Sequence, residues 1–286
     1  MASPIGVERS RKMYQWRKGI ASWQCKDTLY ISVPFTWLMP EAEKMAQLHK
    51  GPAHIGGPGT MKPTSCEGFD PLMFHNPSAT FTTRGCPNHC SFCAVPKIEG
   101  EFREIPDFRP APVICDNNLL AASRKHLERV VERLKAFPLV DFNQGLEARR
   151  FTPEVADLFG NLHCKVRFAF DSPPAESEVK AAVDLCRERT SKDIGIYVLI
   201  GYKDTPEEAL YRLETVRSWG IRPNPMRFQP LDAKTKNSFV APGWTDFELK
   251  RMMTYYSRLR WFEHIPYADY EYASEDKDQL ELSFEG

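Results

Sequence analysis

From residue 79 onward, short runs rich in β-branched and aromatic residues alternate with stretches whose apolar positions recur every three or four residues. The runs ATFTTRG (79–85), PVICDN (112–117), LVDFNQG (139–145), KVRFAFDS (165–172), IGIYVLIGY (194–202) and PMRFQPL (225–231) predict six strands. The fifth is almost continuously apolar, as buried strands of parallel sheets are. Between them, 121–137 places Leu127, Val130, Val131 and Leu134 on one stripe, with Ser123 as N-cap and Pro138 as terminator. The stretches 152–160 and 205–220 each open on Thr-Pro-Glu and close on glycine, and 176–189 and 245–265 carry the same helical period.

Strand–helix alternation repeated six times predicts an α/β fold with a parallel sheet and right-handed crossovers. Six units are too few for a complete eight-stranded barrel, so the expected architecture is an open, partial (β/α)6 barrel over residues 79–232; a flat doubly wound sheet has the same pattern. Residues 1–78 read differently. TLYISVPFTWLMPEAEKM predicts one strand and a helix start, and GPAHIGGPGT a Gly/Pro-rich loop, together a small N-terminal cap region. A C-terminal loop and helix (233–270) and a flexible acidic tail (271–286) complete the expected organisation.

Composition narrows the function classes. Thirty-eight basic residues balance thirty-eight acidic ones, so no global field recruits nucleic acid or an acidic membrane. No apolar window is long enough to span a bilayer, and the first twenty residues lack the apolar segment of a secretory signal, so the expected compartment is the cytoplasm. Eight cysteines in 286 residues are too sparse for a disulfide scaffold. Cys25, Cys66, Cys115, Cys164 and Cys186 are scattered singly and read as small apolar residues.

The remaining three are clustered. In RGCPNHCSFC, Cys86, Cys90 and Cys93 stand at C-x3-C-x2-C spacing with no fourth cysteine nearby. A structural zinc site requires four ligands, and His89 is too close to Cys90 to complete one. Three thiolates in one loop suit a [4Fe–4S] cluster with one iron left open to a bidentate ligand. With Phe92 just before the third cysteine, and with the loop directly following the first predicted strand, the stretch resembles the cluster loop of the radical S-adenosylmethionine (SAM) superfamily. That resemblance implies the partial barrel, a [4Fe–4S] cluster on Cys86, Cys90 and Cys93, and SAM chelating the open iron. It also implies reductive cleavage of SAM to a 5′-deoxyadenosyl radical, hydrogen abstraction from a substrate, oxygen sensitivity, and an electron donor such as flavodoxin or ferredoxin.

In an open parallel sheet, ligands lie at the carboxyl ends of the strands. The resemblance, carried to those ends, implies a cofactor-binding set. Asp116, Asn117 and Asn118 follow the second strand, where the family often has Gly-Gly-Glu; an Asx turn capping the next helix fits them as well. Gln144, Glu147 and Arg149 (or Arg150) follow the third, the arginine as partner for the SAM carboxylate or as one half of a surface ion pair. Asp171 and Ser172 follow the fourth, as ribose partners or as an N-cap. Leu199, Ile200 and Gly201 offer an apolar wall for adenine. Arg227, Gln229 and Asp232 end the sixth, and Phe92 belongs to the cluster loop itself. The charged stretch with Lys97, Glu99, Glu101 and Arg103 either covers SAM or is a solvated loop.

Within the superfamily the barrel most resembles the branch attached to cobalamin-binding domains, and GPAHIGGPGT resembles the end of such a domain. The N-terminal region is too short for one, and no Asp-x-His-x-x-Gly pattern is present, so it reads as a remnant and cobalamin is not expected. The second three-cysteine set of methylthiotransferases is missing from this sequence. Arg9, Arg11, Lys12, Tyr14, Trp16, Arg17 and Lys18 mix basic and aromatic residues, either a solvated helix face or a contact for single-stranded nucleic acid. Gln279, Leu282 and Phe284 have the spacing of peptides that dock on sliding clamps. The competing class for the whole chain is a non-catalytic iron–sulfur or zinc module associated with nucleic acid.

Overall fold

A computed structural model describes residues 19–61, 71–259 and 264–272. The basic N-terminal stretch, Cys66 and the candidate clamp-docking residues Gln279, Leu282 and Phe284 lie outside the described residues. The chain opens with β1 (Ala21–Cys25) and β2 (Thr28–Ser32), an antiparallel pair, followed by α1 (Met39–Leu48) and β3 (Ala53–Gly56), which pairs parallel to β2. The Gly/Pro-rich GPAHIGGPGT therefore contains a strand, and the N-terminal region holds three strands where one was expected. Its own small core of Ile31, Val33 and Ala42 packs α1 against the sheet. The strand signals were masked because β1 and β3 are short and half-exposed.

A short α2 (Leu72–His75) leads to β4 (Ala79–Thr80). Next come β5 (Thr83–Arg84), α3 (Val95–Ile98), β6 (Arg103–Glu104), β7 (Val113–Ile114), α4 (Arg124–Leu134) and β8 (Val140–Phe142). The remainder is α5 (Pro153–Phe159), β9 (Cys164–Ala169), α6 (Glu176–Arg189), β10 (Ile194–Ile200), α7 (Pro206–Ser218), β11 (Pro223–Arg227) and α8 (Asp246–Ser257). Six strands form one sheet in the order β11-β10-β9-β8-β7-β4, and every pairing within it is parallel. The order follows the sequence without reversal, so the sheet has no switch point of the doubly wound kind.

All six predicted strands are present, but the first two are cut to two residues each. Thr82 leaves the sheet because its N–H (2.6 Å) and its hydroxyl both donate to the buried Asp116 carboxylate. Thr83 and Arg84 then pair antiparallel with Glu104 and Arg103. Ser123, Thr152 and Thr205 cap α4, α5 and α7 as their sequence signatures predict, Thr205 with Glu208 in a full capping box. The long helix expected over 245–265 is interrupted: α8 loses helical geometry at Arg258, and the hydroxyl of Tyr255 donates to the carbonyl of Ile265 in the returning chain (2.6 Å).

One face of the large sheet is packed against the helices. Val166, Phe168 and Phe170 of the β9 region join Ile196, Val198 and Ile200 of β10 in one core with Leu134, Phe159, Val183, Leu213 and Met252. The opposite face is polar: Arg167 pairs with Asp141, and the Tyr197 hydroxyl donates to the Asn143 carbonyl (2.8 Å). Cys115, Cys164 and Cys186 are buried, in keeping with the apolar reading of the scattered cysteines; Cys25 is exposed.

At the carboxyl edge of the sheet, Arg212 of α7 is fully buried. Its guanidinium donates to the carbonyls of Leu199 (2.7 Å), Asp171 (3.1 Å) and Phe170 (3.3 Å) and pairs with Asp204. Asp204 in turn accepts the N–H groups of Gly201 and Tyr202 (3.0 Å each), and its carbonyl accepts from Trp244 Nε1 (2.8 Å). Truncating one member of a buried ion pair leaves the other charge uncompensated. Arg212→Met is expected to lower the unfolding free energy by roughly 3–5 kcal/mol. Denaturant titration at constant slope checks this; a loss under about 1 kcal/mol, the range of an exposed pair, refutes the role.

Candidate functional site

The cysteine loop leaves β5 at Gly85, whose φ of +73° favours glycine and whose position a Cβ would share with the Glu101 carbonyl oxygen at 2.4 Å. The loop is tied down by Glu99. One of its carboxylate oxygens accepts from Gly85 N–H (2.9 Å) and from Asn117 Nδ2 (2.8 Å), while the other pairs with Arg84 (3.1 Å). The charged stretch after the cysteines is thus a clasp holding the loop to the end of β7. Sequence reading left Glu99 undecided because its three partners lie 14, 18 and 15 residues away.

Cys86, Cys90 and Cys93 lie in one loop, close enough for the charges of Cys93 and Cys86 to bear on Cys90. Burial raises the pKa of the Cys90 thiol, and the charges of Cys93 and Cys86 raise it further. Burial likewise raises Cys93, with Cys86 adding to it and a Val95 N–H opposing. Cys86 Sγ accepts from Asn88 N–H (3.4 Å) and Asn118 Nδ2 (3.5 Å). Among the described residues, no three His, Cys, Asp or Glu side chains are already drawn to metal-ligand distance. Two features fit the loop to a cationic centre nonetheless. Burial and neighbouring thiolate charge oppose ionisation of Cys90 and Cys93, which a positive centre relieves. Beside them, Asn118 Oδ1 is buried with no partner.

The other predicted positions divide. Asn117 and Asn118 reach the loop, as described. Asp116 does not: it is turned under the sheet, its carboxyl consumed by Thr82 and pushed up to about 6 by burial. Glu147 accepts from Asn118 Nδ2 (2.8 Å), Arg150 (2.8 Å) and Arg149 (2.6 Å). Burial alone would raise its pKa, yet hydrogen bonds from Asn118, Asn88 and Arg150 hold it below the usual value. Arg149 and Arg150 are therefore already paired with a carboxylate of this chain. Gln144 and Ser172 are exposed. Asp171 is mostly buried, accepts from Leu199 N–H (3.3 Å), and lies close enough to raise the pKa of both Cys90 and Cys93. Burial raises its own pKa, with Leu199 N–H and Arg212 opposing.

Leu199 and Ile200 alternate across β10, so Ile200 is in the helix-side core and only Leu199 faces the other way. Gly201, φ +73°, would place a Cβ 2.7 Å from Leu249 and is fixed by packing. Gln229 is spent on Asn237: its Nε2 donates to Asn237 Oδ1 (2.9 Å) and its Oε1 accepts Asn237 N–H (2.8 Å). Arg227 is held by Asp246 (2.9 Å) and the Phe239 carbonyl (2.7 Å). Both residues fasten the C-terminal loop to β11. Phe92 meets Tyr202 edge-on at 5.9 Å, and Tyr202 meets Phe228 at 4.6 Å. This aromatic row runs from the cysteine loop across the ends of β10 and β11. Tyr202 and Phe228 fall inside the stretches expected as strands, 194–202 and 225–231, but β10 ends at Ile200 and β11 at Arg227, so both stand in the loops beyond.

Comparison with known proteins adds one short likeness. Over 53 residues, 18% of this chain, the sequence is 43% identical to the ribosomal protein uS12 methylthiotransferase RimO of Treponema denticola. The chain spans about a tenth of the length of that relative. No family model matches the chain. No described helix is long and apolar enough to cross a membrane.

The buried Asp116 carries a pH signature. Its folded pKa of about 6 lies above the ordinary 3.8, so the fold favours the neutral acid. That contribution is complete below the ordinary value and is lost as pH rises through the folded one. Asp116→Asn is expected to gain on the wild type by about 2 kcal/mol as pH is taken from about 4 to about 7. Denaturant titrations of both proteins across that range decide it; parallel curves contradict the assignment.

Proposed function

We propose that this chain is a radical SAM enzyme. It binds a [4Fe–4S] cluster through Cys86, Cys90 and Cys93 and uses SAM to abstract hydrogen from a substrate. The observation that carries the reading is the C-x3-C-x-Phe-C loop beyond the carboxyl edge of the first strand of a parallel six-stranded sheet. The short likeness to a radical SAM methylthiotransferase supports it. The sequential strand order and the polar face opposite the helices support a curved, partial (β/α)6 barrel whose interior is that polar face. In that arrangement residues 19–61 lie at one margin, joined to the C-terminal loop by the bond from the Thr36 hydroxyl to the Ala233 carbonyl.

When bound, such a cluster supplies one electron to the sulfonium of SAM, releasing methionine and the radical that attacks substrate. The chain's own residues do the placing. Asn118 Oδ1, buried and without a partner, is the acceptor for the SAM ammonium. Leu199, with Phe92, Tyr202 and Phe228 nearby, offers an apolar and aromatic margin for adenine. Asp171, at the end of β9 and near Cys90, is placed for the ribose hydroxyls. The SAM carboxylate has Arg149 or Arg150 within the same loop, provided one exchanges Glu147 for it. The electron donor in this reading is a flavodoxin- or ferredoxin-type protein, and the compartment is the cytoplasm.

Protein purified without oxygen is expected to be brown, to hold about four irons per chain, and to form 5′-deoxyadenosine from SAM and dithionite. Cys86→Ala, Cys90→Ala and Cys93→Ala should each abolish that product. A colourless protein with one tightly held zinc would instead identify a structural metal module.

A further inference from the structure

We infer that Asn118 is a positioning residue for Cys86, whose amide N–H to sulfur bond raises the reduction potential of the cluster held there. The inference rests on the functional reading above and deepens it. Asn118 is 3% exposed and follows β7 by four residues, outside the cysteine loop. Its two amide hydrogens are both spent: Nδ2 lies 3.5 Å from Cys86 Sγ and 2.8 Å from Glu147 Oε2. The orientation of an amide is ordinarily an assignment, but here the chemistry dictates it. A cluster thiolate and a carboxylate are both acceptors, so the nitrogen must face them and the oxygen must face away.

Glu147 makes this bond rigid. Arg149 and Arg150 hold its two carboxylate oxygens at 2.6 and 2.8 Å, and either one retained keeps it in place, which fixes the second amide hydrogen and leaves the first aimed at Cys86. The backbone N–H of Asn88 is the second donor to the same sulfur, at 3.4 Å. A donor on a cluster sulfur stabilises the more negative, reduced state, so each such bond moves the potential upward. Cys86 is the ligand so tuned, because it accepts from a side-chain amide.

The test is a redox titration followed by electron paramagnetic resonance. It compares wild type with Asn118→Ala and the near-isosteric Asn118→Asp, each checked for iron, sulfide and far-ultraviolet circular dichroism. A hydrogen bond of ordinary net strength corresponds to about a tenfold change in the reduced-to-oxidised ratio at fixed potential. For a one-electron couple this is a fall in midpoint of about 59 mV. Asn118→Asp, which puts a carboxylate against the sulfur, should fall at least as far. Both variants should retain about four irons and lose one strongly coupled exchangeable proton seen by electron–nuclear double resonance in wild type. Wild-type potential and an intact proton signal in a four-iron variant overturn the inference. So does joint loss of iron and native circular dichroism in both variants, which would make Asn118 a folding residue only. Failure of the functional reading is seen separately, as a wild-type protein that assembles no cluster and makes no 5′-deoxyadenosine.

Discussion

Arg212 holds the carboxyl ends of β9 and β10 to α7 from a position that water does not reach. The carbonyls of Phe170, Asp171 and Leu199 point at its guanidinium, and Asp204 balances its charge while gathering the N–H groups of Gly201 and Tyr202. Backbone groups at a strand end have no ladder partner and must be satisfied some other way. A planar cation with five donors satisfies several at once. Because Trp244 hangs on the Asp204 carbonyl, the same pair also locates the C-terminal segment. Asp171 and Tyr202, the residues nearest the cysteine loop from this side of the sheet, take their positions from it.

Similar logic operates at the other margin of the loop, with carboxylates in place of the cation. Glu99 and Glu147 each collect donors from separate parts of the chain. Glu99 joins Arg84, Gly85 and Asn117; Glu147 joins Asn118, Arg149 and Arg150. Burial first, and neighbouring thiolate charge second, disfavour ionisation of Cys90 and Cys93, so these thiols offer each other no attraction that would organise the loop. Preorganisation has to come from the surrounding hydrogen bonds, and these two carboxylates supply it.

Much of the architecture was legible beforehand. The helix starts at Ser123, Thr152 and Thr205 were readable because a cap is a local contract between neighbours a few residues apart. The six strands of the large sheet followed from periodicity, while β1 and β3 and the break after α8 did not; the shortening of 79–85 has a non-local cause: Asp116, 34 residues on, takes the N–H of Thr82 away from the sheet. The site was less legible. Asp116, Arg149, Gln229 and Ile200 all carry the right chemistry at the right strand ends. Yet Asp116 is consumed by Thr82, Arg149 by Glu147 and Gln229 by Asn237, and Ile200 faces the helices. Tyr202 and Phe228 read as ordinary aromatics of the expected strands 194–202 and 225–231, and only the fold places them in a row with Phe92.

The amino-acid sequence alone determined the elements, their order, and the three-thiol loop with its phenylalanine, because each depends on residues close together in the chain. The tertiary structure decided which polar side chains remain free to meet a ligand. A hydrogen-bonding group near a strand end has a limited number of bonds to make, and whether Asn118 or Gln229 has one left depends on partners 8 to 32 residues away. Spacing within the chain does not encode that competition; only the folded packing resolves it.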